Sequence, residues 1–222
     1  MHVIEAQRLF EREGRLWMRN ALSPEELARL RTKWSAGARP GARHSNSTPF
    51  AQSLRRLDVV SRLQRTWPGM RLVRVVSFEK RPGTNWGVPW HQDRTIAVSQ
   101  RFETPGFCNW SEKQGQWHCE PPAEILRRML FVRLHLDENT SANGAMEIAV
   151  GSHEAGLVPA AQAETVASQF RHEMTTAAAG DVLVLNMLTL HRSLPSQEQN
   201  TRRVIRMDFS ADALPTPLDW AG

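Results

Sequence analysis

Two hydrophobic periods divide this chain. Up to about residue 68, apolar side chains recur at helical spacing; from residue 71 they alternate, as in a strand with one face turned inward. Ser23-Pro24-Glu25-Glu26 reads as a capping box with proline at the first helical position, and Leu27, Leu30 and Trp34 continue that helix. A second amphipathic helix is predicted over Phe50 to Trp67, with Leu54, Leu57, Val60 and Leu63 on one face. Between them, Gly37 to Ser47 has the composition of a loop.

The alternating half predicts strands at Arg71 to Glu79, Pro89 to Val98, Met129 to Asp137, Met146 to Val150, Asp181 to His191 and Arg203 to Ser210. In the third of these, Leu130, Val132, Leu134 and Leu136 face one way, and Arg133 and His135 the other. In the fifth, Leu185, Met187, Thr189 and His191 share a face. Strands at hairpin-like spacing after a helical lead-in predict a mainly β fold with flanking helices, built on a closed antiparallel jelly roll. Residues 1–222 are expected to form one domain, with a helical lead-in over 1–68 and a jelly-roll core over 70–210.

Phe102 to Pro122 breaks the pattern. It is rich in Trp, Gly and Pro, holds both cysteines and reads as too irregular for a strand. Long loops of this kind inside a domain are often functional, so 102–122 is expected to be an active-site loop with Trp110, Trp117 and His118 as contacts. A second reading has equal standing: the tryptophans only anchor a surface loop to the core.

Composition narrows the partners. A hydrophobic fraction of 41% and a charged fraction of 23% are those of a soluble globular protein. The first residues have no apolar run, so neither a signal peptide nor a membrane span is expected. Two cysteines, Cys108 and Cys119, fit a reducing compartment, and the cytoplasm is the expected location. The net charge of +5 raises nucleic-acid binding, but the arginines are dispersed and form no basic run, so no nucleic-acid partner is expected. Without a heptad or an apolar surface stripe, a monomer or weak homo-oligomer is expected.

The chemistry centres on His91-Gln92-Asp93 and, about a hundred residues on, His191. Two histidines and one carboxylate form a facial triad that suits non-haem Fe(II), because one side of the ion stays open to other ligands. On a strand, residues two apart share a face, so His91 and Asp93 can meet one ion while Gln92 turns away. The pattern alone is weak in a chain with eight histidines. It equally describes a surface His–Asp pair and a strand-end histidine.

Further motifs change that balance. Pro89-Trp90-His91-Gln92-Asp93, Asn143-Gly144-Ala145-Met146, Gly151-Ser152-His153, Ala179-Gly180-Asp181-Val182-Leu183 and His191-Arg192-Ser193, in this order and spacing, resemble the phytanoyl-CoA dioxygenase (PhyH) family. These are Fe(II)- and 2-oxoglutarate-dependent oxygenases with a double-stranded β-helix (jelly-roll, cupin-like) core. The resemblance spans roughly residues 70 to 210. Ala145 and Val150 stand where the family commonly has proline, at turn positions that touch no ligand.

The resemblance implies that His91, Asp93 and His191 are the iron ligands. It implies that Arg202, eleven residues beyond the distal histidine, grips the distal carboxylate of 2-oxoglutarate as a fork that lysine cannot reproduce. A slip of one residue would put Arg203 there instead. Ser193 matches a serine that shares this carboxylate, and Lys80 and Arg133 are looser candidates for the pocket wall. The implied reaction consumes O₂ and 2-oxoglutarate, releases succinate and CO₂, and hydroxylates or otherwise oxidises a small molecule. Related halogenases lack the carboxylate ligand, which is present here as Asp93.

Other residues keep two readings. His153 follows a turn and is expected to pack a loop rather than bind metal. His135 either lines the pocket or hydrogen-bonds in the core. Arg206 shares a strand face with Arg202 and meets either an acidic substrate group or Asp208 or Glu147. Arg94, Arg101, Arg133 and Arg206 suggest an acidic group on the substrate. The competing function is a cupin-like metal protein without 2-oxoglutarate chemistry: an isomerase, a ring-cleaving dioxygenase or a sensor. A nucleic-acid demethylase-type oxygenase is a third reading, carried only by Trp110 and Trp117.

Overall fold

A computed structural model describes residues 2–34 and 41–221. The lead-in contains α1 (Val3–Glu13), β1 (Arg15–Met18), α2 (Pro24–Thr32), β2 (Gly41–His44), α3 (Pro49–Arg55) and α4 (Asp58–Thr66). After it come β3 (Arg71–Lys80), β4 (Val88–His91), β5 (Ile96–Val98), β6 (Cys108–Lys113) and β7 (Gln116–Glu120). The last part holds α5 (Ala123–Arg127), β8 (Leu130–His135), β9 (Met146–Val150), α6 (Ala163–Ala167), β10 (Arg171–Met174), β11 (Val182–Asn186), β12 (His191–Ser193) and β13 (Arg202–Ser210).

Among the described residues the strands form three antiparallel sheets. The major sheet runs β1-β11-β8-β13-β3-β2, the minor sheet β10-β9-β12-β4, and a small third sheet β5-β7-β6. This is the expected jelly roll. Strand alternation builds two cores from the major sheet. Val132, Leu134, Val184, Ile205 and Met207 point outward into a cluster with Phe10, Leu30, Leu54, Val60 and Leu63 of the helices. Phe131, Leu183 and Leu185 point inward to meet Met146 and Ile148 of the minor sheet. Because both faces of β11 are covered, its first four residues, Val182 to Leu185, form an unbroken apolar run rather than an alternating one.

Leu63 is completely buried between helix and sheet. Leu63→Ala should therefore lower the unfolding free energy by about 2–5 kcal/mol, read from urea denaturation. A loss below about 1 kcal/mol would mean that the helical layer does not seal this face.

Several expectations need correction. The lead-in is not wholly helical: β1 and β2 form the two edges of the major sheet. The predicted loop at Gly37 to Ser47 includes β2, while 37–40 lie outside the described residues. The helix predicted over Phe50 to Trp67 is two helices, because Leu57 adopts an extended backbone that drops its side chain into the core. Glu26 of α2 accepts from the backbone of Ser23 and of Asp58, so it caps its own helix and α4 together.

The strand predicted over Pro89 to Val98 ends at His91 and resumes as β5 in another sheet. That predicted over Asp181 to His191 also breaks. A turn at Met187-Leu188 carries the chain from the major sheet to the minor one, so His191 does not continue the row begun by Leu185. Finally, Phe102 to Pro122 contains the β6–β7 hairpin. Its two turn residues, Gln114 and Gly115, have φ of 56° and 74°, the double left-handed geometry that joins tight hairpins.

Candidate metal and cosubstrate site

Sheet register brings the two histidines together. β12 pairs with β4 so that His191 stands directly opposite His91, with ring centroids 4.2 Å apart. Asp93 lies two residues beyond the end of β4, and its Oδ2 is 3.3 Å from His191 Nε2. One donor atom from each of the three lies within 4.8 Å of the others. Both rings are anchored the same way: Nδ1 of His91 meets Pro89 O at 2.8 Å, and Nδ1 of His191 meets Thr189 O at 2.9 Å. A ring that donates from Nδ1 to a carbonyl keeps the Nε2 lone pair free for a metal.

Electrostatics prepare the same donors. Burial and then His191 push the pKa of His91 down to about 4, so it is neutral near pH 7. Burial alone would raise the pKa of Asp93, but Arg206 and His191 outweigh it and hold the carboxyl well below its usual range. Arg206 donates to Asp93 at 2.5 Å and grips Asp208 with two bonds of 2.7 and 3.0 Å. Asp208 was one of the two pairings expected for Arg206. The other, Glu147, pairs instead with Arg192 and His172.

Gln92 does turn away from the site, and it has a task that sequence reasoning missed. Its buried amide donates to Gly156 O and Leu188 O, both at 2.7 Å, and accepts from Val158 N at 2.9 Å. It thereby ties the segment after β4 to the turn that leads to His191. Only long-range contacts show this, since glutamine in an H-x-D motif carries no signal of its own.

The triad opens onto a cavity of about 190 Å³ that Ser193, Arg133, Arg202 and Arg206 also line. Arg202 is buried; it donates to Asn139 Oδ1 at 2.8 Å, and its Nε has no partner among the described residues. Arg133 Nε is likewise buried and unpaired. Buried donors of this kind are costly unless something accepts from them. Lys80, opposite Arg202 in the β3–β13 register, donates to Ser193 Oγ at 2.8 Å and to Leu194 O at 2.5 Å. Burial, then the neighbouring Arg202 and Arg133, bring its pKa down to about 7.

Gly144 makes this approach possible. Its φ is +75°, and a Cβ there would lie 2.6 Å from Leu194 O and 2.7 Å from Lys80 Nζ. Arg203, by contrast, points to the other face and forms a fork with Asp137, two bonds of 2.8 Å.

The apolar wall of the cavity, Phe78, Trp86, Val88, Phe131 and Met146, was not anticipated as site-forming. His135 is buried, bonds Asp181 O through Nδ1 and does not line this cavity. His153 bonds Glu11 O, a loop-packing role. Arg94 and Arg101 lie elsewhere, paired with Glu120 and Glu103. Trp110 and Trp117 pack against the inner core cluster. Cys108 and Cys119 are both free thiols.

No helix among the described residues is long and apolar enough to cross a membrane. A search of curated proteins finds no match to the chain. Among solved structures, it resembles AviO1 from Streptomyces viridochromogenes Tue57, with a TM-score of 0.67 and 20% identity over 96% of this chain and 97% of that one. EctD from S. alaskensis matches with a TM-score of 0.68 and 16% identity over 98% of this chain and 80% of that one. HygX from Streptomyces hygroscopicus, solved with nickel, 2-oxoglutarate and hygromycin B, matches with a TM-score of 0.62 and 16% identity over 96% and 87%. At these identities the likeness establishes the fold. The family model for phytanoyl-CoA dioxygenase (PhyH) matches residues 10–204. The chain belongs to the phytanoyl-CoA dioxygenase family of Fe(II)- and 2-oxoglutarate-dependent oxygenases.

Proposed function

We propose that this protein hydroxylates a small molecule that carries an acidic group, with Fe(II), 2-oxoglutarate and O₂. One observation carries the reading: an anchored two-histidine, one-carboxylate donor set shares a small cavity with the unpaired guanidinium nitrogens of Arg202 and Arg133. His91, Asp93 and His191 would hold the iron. Arg202 and Ser193, with Lys80 behind the serine, would hold the distal carboxylate of 2-oxoglutarate. That fit rests on the donors themselves, since a dicarboxylate supplies the acceptors that the buried arginine lacks.

When bound, iron with 2-oxoglutarate and O₂ supplies the oxidising power for C–H hydroxylation and releases succinate and CO₂. The protein's own part is positional. The carbonyls of Pro89 and Thr189 fix the ring orientation of the ligands, Arg206 keeps Asp93 ionised, and Gln92 fixes the segment that carries Asp93. Phe78, Trp86 and Phe131 exclude water, which strengthens every charge interaction inside. HygX binds hygromycin B alongside 2-oxoglutarate, which supports a small-molecule substrate here. A cupin-like metal protein without 2-oxoglutarate would have no use for the Arg202 cluster. The reading includes neither a nucleic-acid nor a membrane partner.

The test is an anaerobic optical titration of metal-free protein with Fe(II) and 2-oxoglutarate. A weak visible charge-transfer band that saturates with both is the expected result. Tight Fe(II) binding with no band would replace this reading with the cupin-like one, and no Fe(II) binding would overturn both.

A further inference from the structure

The inward face of the major sheet carries more positive charge than one cosubstrate accounts for. In the strand registers, Lys80 lies opposite Arg202, Arg43 opposite Val76, Val76 opposite Arg206, and Arg206 opposite Arg133. Arg74 lies further along the same face of β3, opposite Asp208. The Lys80 and Arg202 end belongs to the metal cavity. The Arg43 and Arg74 end does not.

That second end opens into its own cavity of about 220 Å³, between β2, β3 and the β6–β7 hairpin. Arg43, Arg74, His44, Asn46, Gln116 and His118 are among its lining residues. Four buried polar atoms of this wall have no partner among the described residues: Arg43 Nε, Arg74 Nε, His118 Nε2 and Asn46 Oδ1. His118 is 0% exposed, and Asn46 is 6% exposed, so water in bulk does not satisfy them. Native proteins leave few such groups, and several at one cavity point to a missing partner.

Their chemistry divides into two kinds. Arg43 and Arg74 are cationic donors. Among the described residues, the one carboxylate paired with Arg74, Asp208 at 3.6 Å, is already gripped by Arg206. Arg74 also reaches Thr95 O at 3.2 Å, which carries no charge. Lys113 on the hairpin adds to the positive field; burial, with repulsion from Arg206 on Arg43 and Arg74 and from Arg43 and Arg74 on Lys113, lowers the pKa of Arg43, Arg74 (to about 10) and Lys113. His118 and Asn46 present acceptors instead. Nδ1 of His118 is held by Gln116 O, and burial followed by Arg74 takes its pKa down to about 4, so it is neutral near pH 7. Asn46 spends its NH₂ on Val73 O and Ala221 O, which leaves its oxygen free.

A chain of contacts joins this cavity to the metal site: Arg74 to Asp208, Asp208 to Arg206, Arg206 to Asp93. Each cavity alone, at about 190 and 220 Å³, is below the roughly 300–1,000 Å³ of most ligand pockets, and the metal cavity leaves little room for a substrate beside 2-oxoglutarate. We infer that the second cavity anchors the substrate, and that the substrate is a hydroxylated anion. Its carboxylate or phosphate lies between Arg43 and Arg74, and its hydroxyl groups donate to His118 Nε2 and Asn46 Oδ1. This rests on the oxygenase reading above. It also gives the segment 102–122 a role, because Gln114, Gly115, Gln116 and His118 form one wall of the cavity.

Calorimetric titration of the protein loaded with Ni(II) and saturating 2-oxoglutarate tests the inference, since the first anion site is then filled. Gluconate and glucose 6-phosphate serve as the carboxylate and phosphate probes, and glucose as the neutral control. At least one of the two anions should bind saturably, and which one does distinguishes the two acids. Glucose should bind at least tenfold more weakly. Arg43→Gln, on an edge strand, and Arg74→Gln should each weaken the anion tenfold or more without changing 2-oxoglutarate binding. His118→Phe should weaken it severalfold.

The inference falls if neither anion binds, if glucose binds equally well, or if folded Arg43→Gln binds like wild type. Failure of the Fe(II) and 2-oxoglutarate titration would instead remove the oxygenase reading itself, so the two failures are distinct.

Discussion

Asp93→Ala is expected to abolish stable iron binding, with Fe(II) affinity down on the order of a hundredfold or more. Loss of a partner that merely orients a ligand typically costs 10–100-fold, and Asp93 supplies a donor atom directly. It is also the only carboxylate in the donor set, so the variant would ask two imidazole ligands alone to hold a dication beside the charged Arg206. Arg206 keeps its two bonds to Asp208, so the apoprotein should stay folded. Metal analysis after anaerobic loading, with circular dichroism as the folding check, reads both effects. Stoichiometric iron in a folded Asp93→Ala protein would remove Asp93 from the ligand set.

Arg202→Ala should separate the cosubstrate from the metal. The variant removes the buried guanidinium while leaving His91, Asp93 and His191 in place. Truncating one partner of a buried charge pair costs about 2–5 kcal/mol, so 2-oxoglutarate affinity should fall by at least about 30-fold while Fe(II) affinity changes little. Arg203→Ala is the matched control. Its fork with Asp137 is partly exposed, and such pairs are worth about 0–1 kcal/mol, so 2-oxoglutarate affinity should stay within about threefold of wild type. Titrating each protein against the visible band decides the matter. If the two variants exchange behaviours, the clamp is Arg203; if neither loses the band, the arginine assignment fails.

Much of the fold was legible because one face of each long strand meets a core. On β8, Leu130, Val132 and Leu134 could be assigned to one face, and Arg133 and His135 to the other, by alternation alone. The choice between Arg202 and Arg203 was harder. Adjacent residues on a strand face opposite sides, so the sequence left two candidates for the proposed clamp, and the register of β13 against β3 sets Arg202 beside Lys80.

The strand breaks at Gln92 and at Met187-Leu188 carried no glycine or proline, and alternation ran straight through them. They exist because a jelly roll must pass its chain between sheets, a demand that comes from closure rather than from local preference. The β6–β7 hairpin was missed for the opposite reason: its turn pair, Gln114-Gly115, was outweighed by the tryptophans, glycines and cysteines around it.

Local chemistry written in the chain was therefore enough to propose His91, Asp93 and His191 as metal donors, since two histidines and a carboxylate keep their character wherever they fold. Which of them meet, which arginine is left without a partner, and where Arg43, Arg74 and His118 converge are properties of register and of buried space. Those depend on residues far apart in the chain, as His191 opposite His91 is, and no local pattern records what a side chain fails to touch.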